Sequence, residues 1–435
     1  MAAGRSVAVI IAVAAVCGPL VLAGAGQAVA GTRVPAGADA AGPGGTWHAA
    51  VQVPGTAVAG NVDVESVSCG SAGNCVAVGS FLASEVNGRW RTAIKVPGSI
   101  NKGDTAVVNS VSCASAGNCS AGGYYYAGPT YQAFVVSEVN GRWRTAIEVP
   151  GTPALNSGGA ATVNSVSCAS AGNCAAGGQY TSRSDASGGA NLHGFVVSEV
   201  NGRWRTAIEV PGTPALNKGG WAQVLTVSCG SAVNCAAGGQ YISRIDASGA
   251  GIFQAFVANE VNGRWRTAIE VPGTPALNKG GWAQVLTVSC GSAGNCSAGG
   301  YYRGSDWDQQ AFVVSEVNGR WRTAIEVPGT PALNKGANAA VSSVSCGSAG
   351  NCAAGGFYQD GGSDTQAFVA GEVNGRWRTA IEVPGTAALN RDDKNPGNAN
   401  AGVASVSCRR ATDCTALGWY TGRSGYAQAF VASES

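Results

Sequence analysis

Short apolar runs rich in Val, Ile, Phe, Tyr and Trp alternate along this chain with clusters of Gly, Asn, Pro and Ser. One stretch holds four such runs: Val107–Cys113, Cys119–Tyr125, Ala133–Val139 and Arg142–Val149. Runs of this length and composition, bounded by turn residues, predict strands. Nothing of helical length carries a 3.6-residue period. Asn140-Gly141 separates the last two runs and predicts a two-residue hairpin, because a type I′ turn needs positive φ at both positions. With that turn, Glu138 faces Trp143, Val136 faces Thr145 and Phe134 faces Ile147. One face then carries Trp143, Ile147, Phe134 and Val136, and the other Arg142, Arg144, Ala146, Ala133 and Val135. Apolar residues on both faces suit a sheet packed between two others, and a one-residue slip would exchange the faces.

The four-run unit recurs. Each copy joins S-V-S-C-x5-C to Q-A-F-V-V-S-E-V-N-G-R-W-R-T-A-I-E-V-P-G-T or a close variant. Apart from Cys17, the 15 cysteines fall in seven pairs: Cys69 and Cys75, Cys113 and Cys119, Cys168 and Cys174, Cys229 and Cys235, Cys290 and Cys296, Cys346 and Cys352, and Cys408 and Cys414. Successive first cysteines are 44, 55, 61, 61, 56 and 62 residues apart. Four strands in a unit of that length describe a propeller blade. Gly45–Gly55 resembles a fourth strand without its first three, and Gln428–Glu434 ends a third strand without its fourth. Joining them completes one blade and leaves no open sheet edge there, whereas an open solenoid would carry polar caps. The expectation is an all-β, seven-bladed β-propeller of four-stranded blades over residues 45–435, closed by the N-terminal strand joining the last blade. Only 15 residues separate Cys75 from Trp90, against 24 from Cys119 to Trp143, so six regular blades plus one degenerate unit is the alternative.

Composition narrows the function classes. The 27 Lys+Arg and 25 Asp+Glu give a net charge of +2, which excludes a nucleic-acid binder driven by bulk electrostatics. A 45% hydrophobic share excludes a disordered chain, and 66 Gly without a Gly-X-Y period exclude collagen. Arg5, the apolar run Val7–Leu22 and Ala28-Val29-Ala30 read as a signal peptide over residues 1–30, followed by a flexible segment over 31–44. An uncleaved membrane anchor is the alternative, but the run is short of the ~20 residues a span needs. No other long apolar run follows, so a secreted, monomeric protein without stable membrane insertion is expected.

Paired cysteines at fixed spacing in an exported chain read as disulfides bracketing the first turn of each unit. Zinc would call for C-x2–4-C spacing and nearby His or a second pair. The Arg-Trp-Arg triplets, from Arg89/Arg91 to Arg376/Arg378, could bind polyanions. Each has a Glu two residues before its Asn-Gly, such as Glu138 or Glu199, so Arg–Glu pairing and Trp packing are expected instead.

The segments Ser66-Val67-Ser68-Cys69, Cys75-Val76-Ala77-Val78-Gly79, Asn87-Gly88-Arg89-Trp90 and Gly44-Gly45-Thr46-Trp47 resemble repeats of exported actinobacterial β-propeller proteins of the sialidase-like, Asp-box (BNR) and photosystem-assembly-factor-like type. The resemblance implies the propeller fold. It does not carry sialidase activity over, because F-R-I-P is missing and no unit holds a unique Arg–Tyr–Glu set.

In such a ring the Cys turn and the Asn-Gly turn share one face and hardly vary, while the loops of the other face do. Those variable loops bring Tyr126, Tyr131, Arg183, Asp185, Arg244, Asp246, Arg303, Asp306, Trp307 and Asp308, and the four–one loops add Trp221 and Trp282. Aromatics beside Asp and Arg on a rigid scaffold suit binding of a glycan, cell-wall polymer or protein, without catalysis. The alternative is a glycoside hydrolase or lyase using Asp185, Asp246, Asp306 or Asp364. No cofactor is expected: Asp306 and Asp308 are too few for a Ca²⁺ site. Neither His48 nor His193 is read as catalytic.

Overall fold

A computed structural model describes residues 52–56, 63–98, 100, 106–182, 191–395 and 397–434. The leader over residues 1–30, the segment over 31–44 and the Trp47 strand lie outside the described residues.

The chain forms a seven-bladed β-propeller of four-stranded antiparallel blades. The third blade shows the plan. Ala161–Ser170, Asn173–Ser182 and Asn191–Val200 pair in order, and the outer strand follows in two pieces, Arg203–Trp204 and Ile208–Glu209. The first unit also forms a sheet of four strands, with its second and third shortened to Asn74–Gly79 and Leu82–Val86. The last shows three, from Gly402–Arg410 to Ala427–Ser433. The Asn-Gly turns have the expected left-handed backbone, with φ of 50° and 74° at Asn140 and Gly141.

Each inner strand packs on the next, from Val64–Ser71 through to Gly402–Arg410. The repeated serines explain how. Ser66 and Ser68 Oγ accept the backbone N–H groups of Val111 and Cys113, at 3.3 and 2.9 Å. The same pair of bonds recurs at each later junction, ending with Ser343 and Ser345 receiving Val406 and Cys408. Inner strands cannot pair with one another around an axis, so side-chain oxygens satisfy their free donors. Among the described residues the two end flanks are open. Val64 and Val67 are 60% and 62% exposed, whereas their counterparts Val163 and Val166 are buried.

The outer hairpin departs from the expected register. Glu138 faces Trp143 as predicted, but Phe134 faces Glu148 and Val135 faces Ile147. The strand breaks at Arg144-Thr145-Ala146 because the Ala146 N–H donates to the Pro97 carbonyl of the preceding blade, at 2.8 Å. Ala146 turns inward and Ile147 outward. Val53-Pro54 seats on the first blade in the same way, with Ala93 N–H donating to Pro54 O at 2.7 Å.

The Gly-Gly of the second strand answers close packing. A Cβ on Gly300 would lie 2.0 Å from the Gln284 carbonyl oxygen of the paired strand. Gly300→Val should therefore cost about 3 kcal/mol or more, read as a lowered urea midpoint. An unchanged midpoint would show that the two backbones can separate freely.

All seven cysteine pairs form disulfides between directly opposed residues, with Cα separations of 3.9 to 4.0 Å. They join Cys69 to Cys75, Cys113 to Cys119, Cys168 to Cys174, Cys229 to Cys235, Cys290 to Cys296, Cys346 to Cys352 and Cys408 to Cys414. The second cysteine is buried in six of them, at Cys119, Cys174, Cys235, Cys296, Cys352 and Cys414. The second strand of a blade is covered on both faces by its neighbours, and its cysteine is covered with it. Cys235, Cys296, Cys352 and Cys414 accordingly join the blade cores, beside Val224, Val285, Val341 and Val403. With Cys119 beside Val108, these five are packing residues as well as staples.

The Arg–Glu pairs do not form. All twelve arginines of the triplets are exposed, and among the described residues none of them lies within ion-pair distance of a glutamate. The glutamates face the preceding blade instead. Glu138 accepts from Ser84, Glu199 from Ser120 and Ser137, and Glu372 from Ser297 and Ser315. The tryptophans complete the contact, with Trp143 Nε1 donating to Ser84 and Trp204 Nε1 to Ser137. The triplet thus anchors Trp between blades, as expected, while its carboxylate partner serves hydroxyls rather than guanidinium groups.

Candidate functional site

The Cys turn and the Asn-Gly turn meet on one face, where Gly141 N–H donates to Gly117 O at 2.9 Å and Gly202 to Gly172 at 2.8 Å. A cleft of about 360 Å³ opens there between the first two blades, lined by Glu85, Arg91, Glu138 and Arg142. Ser84 and the buried Glu138 also line it, in a contact that Trp143 Nε1 completes from behind by donating to Ser84. That Ser–Glu–Trp arrangement is repeated at later junctions, so it holds blades together in each.

The opposite face carries the variable loops. Short helical turns such as Thr152–Leu155 fill the four–one connections. Asn156 locks that turn in place: its Nδ2 donates to Gln132 Oε1 at 2.7 Å and its Oδ1 accepts the Ala160 N–H at 2.8 Å. Over the fourth and fifth blades the side chains stack into a ladder. Trp221 meets Phe253 edge-on at 6.2 Å, and Phe253 lies flat on Trp282 at 4.2 Å and 23°. The Arg303 guanidinium is 5.6 Å from the Trp282 ring and 5.5 Å from that of Trp307. Trp307 is 63% exposed and adopts φ of 66° in the loop.

Hydrogen bonding leaves this ladder unfinished. The Trp221 and Trp282 indole N–H groups and Arg303 Nε are buried without an acceptor, as is the Gln284 Oε1 acceptor without a donor. Burial raises the Tyr301 pKa, opposed by Arg303 and by the Trp282 indole. That indole nevertheless has no partner in acceptable hydrogen-bond geometry. Three unsatisfied donors beside stacked rings depart from the ordinary rule that buried polar groups are paired.

The other expected residues distribute differently. Tyr126 and Tyr131 come together with Tyr124 on the second blade, with centroids 5.5 to 6.3 Å apart. Arg183 and Asp185 lie outside the described residues. Arg244 is exposed near Asp246, whose Oδ1 accepts the Ser248 and Ala250 N–H groups and the Ser248 hydroxyl. Those bonds hold the Asp246 carboxyl below its ordinary pKa. Asp364 Oδ1 instead accepts the Ala399 N–H at 2.8 Å and ties its loop to the segment leading into the seventh blade. Asp306 is exposed, and the Asp308 carbonyl accepts from Gly304. No three His, Cys, Asp or Glu side chains among the described residues group as metal ligands would. Phe253, the middle rung of the ladder, escapes sequence reading because it only bounds a variable loop.

A Tyr–Glu contact recurs beside the outer strands: Tyr125 with Glu148, Tyr180 with Glu209, Tyr302 with Glu326 and Tyr358 with Glu382, at 2.8 to 3.2 Å. Burial and the facing Glu148 push Tyr125 up to about 12. Repetition around the ring marks this pair as structural.

No family model matches the chain, and no curated protein matches its sequence. Solved structures of similar shape include YCF48 bound to D1 peptide, with a TM-score of 0.41, 10% identity, and coverage of 88% of this chain and 96% of that one. The GH74 xyloglucanase from Xanthomonas campestris gives 0.47 and 12%, covering 84% and 53%. A PL25 ulvan lyase gives 0.44 and 10%, covering 84% and 91%.

Proposed function

We propose that this is an exported binding protein that holds a glycan along the Trp221–Phe253–Trp282–Arg303–Trp307 ladder. The observation that carries the reading is the stacked Trp221–Phe253–Trp282 run, flanked by the Arg303 guanidinium and the exposed Trp307 ring. A sugar ring offers an apolar C–H face to an aromatic plane and hydroxyl oxygens to a guanidinium group. Seven disulfides support export, since such bonds persist in oxidising compartments. Hydrolysis of glycosidic bonds ordinarily uses a carboxylate pair across the scissile bond, and Asp246 and Asp364 each accept backbone N–H groups in separate loops.

A glycan array with the folded protein should return ligands whose binding falls at least tenfold in Trp282→Ala and in Trp307→Ala. Tyr126→Ala, on a separate aromatic cluster, should bind as the parent does. Equal binding by all three variants would overturn the assignment.

A further inference from the structure

We infer that the third blade carries a second, independent site: a serine nucleophile, Ser182, able to hydrolyse small carboxylic esters. Ser182 Oγ lies 2.9 Å from His193 Nε2, and His193 Nδ1 lies 2.9 Å from Glu209 Oε1. The second Glu209 oxygen accepts the Tyr180 hydroxyl at 3.2 Å. The imidazole stacks on the Tyr180 ring, with centroids 5.0 Å apart and planes 14° apart. Both flanks of the imidazole are therefore fixed. The side chains of His193 and Glu209 are 22% and 26% exposed, so a small substrate can reach them.

This arrangement is peculiar to one blade. Where it has His193, the other regular blades have Gln132, Gln254, Gln310, Gln366 and Gln428. Where it has Ser182, they have Ala127, Ser243, Gly304, Asp360 and Gly422. Only the third blade combines the two, and it adds them to a Tyr–Glu pair that several blades already possess. A structural contact common to the ring would not be confined to one copy.

The chemistry follows from the geometry. Glu209 beside Nδ1 selects the tautomer with the proton on Nδ1, which leaves the Nε2 lone pair facing the Ser182 hydroxyl. Ser182 Oγ adds to the ester carbonyl carbon while its proton moves to Nε2. The tetrahedral adduct expels the alcohol, which takes the proton from Nε2, and leaves an acyl-serine. Water then adds to that acyl carbon, giving its proton to Nε2, and Ser182 recovers the proton as the carboxylic acid leaves. Glu209 stabilises the imidazolium formed in each half, and no oxidant, metal or cofactor is consumed. Leu192, next to His193, bridges to Trp221 of the following blade, so the nucleophile borders the aromatic ladder without depending on it.

A fluorophosphonate probe and p-nitrophenyl acetate test this on the intact, oxidised protein. The expected result is a covalent adduct mapped by mass spectrometry to Ser182, together with ester turnover that Ser182→Ala abolishes. His193→Gln installs the residue used by the other blades, so it should keep the parent's thermal melt and still label at least a hundredfold more slowly. A folded protein without an adduct at Ser182, or an adduct that forms equally fast in His193→Gln, would overturn the inference. Neither outcome bears on glycan binding.

Discussion

Reduction of the seven disulfides should unfold the protein under conditions in which the oxidised chain stays folded. Each bond closes a loop of only six residues' separation, which in the chain-entropy model stabilises by about 2 kcal/mol. Seven such terms together approach the whole stability of an ordinary domain. The chain depends on them more than most, because 66 glycines raise the backbone entropy lost on folding. The bonds also sit where the inner strands meet: Cys113 N–H donates to Ser68 of the preceding blade. Loosening one turn therefore loosens a junction. Urea unfolding followed by tryptophan fluorescence, with and without a phosphine reductant, measures the effect. The reduced midpoint should fall by well over half, and coincident curves would show that the staples contribute little.

The second large effect is a pH dependence centred on Glu316. This carboxyl is buried, and burial pushes its pKa up to about 7 despite the hydrogen bond from Asn259 Nδ2. Asn259 is in turn held by Trp321 Nε1, which donates to its Oδ1 at 2.9 Å. The folded state thus prefers the protonated acid, while the unfolded chain titrates near 4.5. The preference stabilises the fold fully below about pH 4.5 and is lost as pH rises through about 7. A shift of that size corresponds to roughly 3 kcal/mol. Glu138, Glu199 and Glu260 are raised in the same direction by burial, partly offset by serine hydroxyls and, for Glu138 and Glu260, by Arg91 and Arg205. Urea midpoints should fall between pH 5 and pH 8, and Glu316→Gln should remove much of that slope. A slope unchanged by the substitution would place the titrating group elsewhere.

Local chemistry made most of the fold legible. The Asn140-Gly141 turn, the opposed cysteines and the four-run unit follow from neighbours within one blade, and the structure has them all. What was illegible depends on residues from another blade. Ala146 turns inward because its N–H finds Pro97, some fifty positions earlier, and no periodicity in the hairpin reports that bond. Glu138 looked like a partner for Arg142 or Arg144, yet it lies against Ser84. The pairing of Cys235, Cys296, Cys352 and Cys414 was readable from spacing, but their burial comes from the neighbouring blades. Trp221, Trp282, Arg303 and Trp307 were readable as variable-face residues, but their stacking needs Phe253, which only the three-dimensional arrangement supplies. Ser182, His193 and Glu209 come from three strands of one sheet. A lone histidine in the sequence gave no sign of its two partners.

Hydrogen–deuterium exchange with the tightest glycan from the array tests the central claim, that the variable face of the fourth and fifth blades is the binding surface. Protection is expected at Gly219–Ala222, Ile252–Gln254, Gly280–Ala283 and Arg303–Gln309. Protection confined to the cleft of the opposite face, at Asn74–Arg91 and Ala116–Arg142, would contradict it.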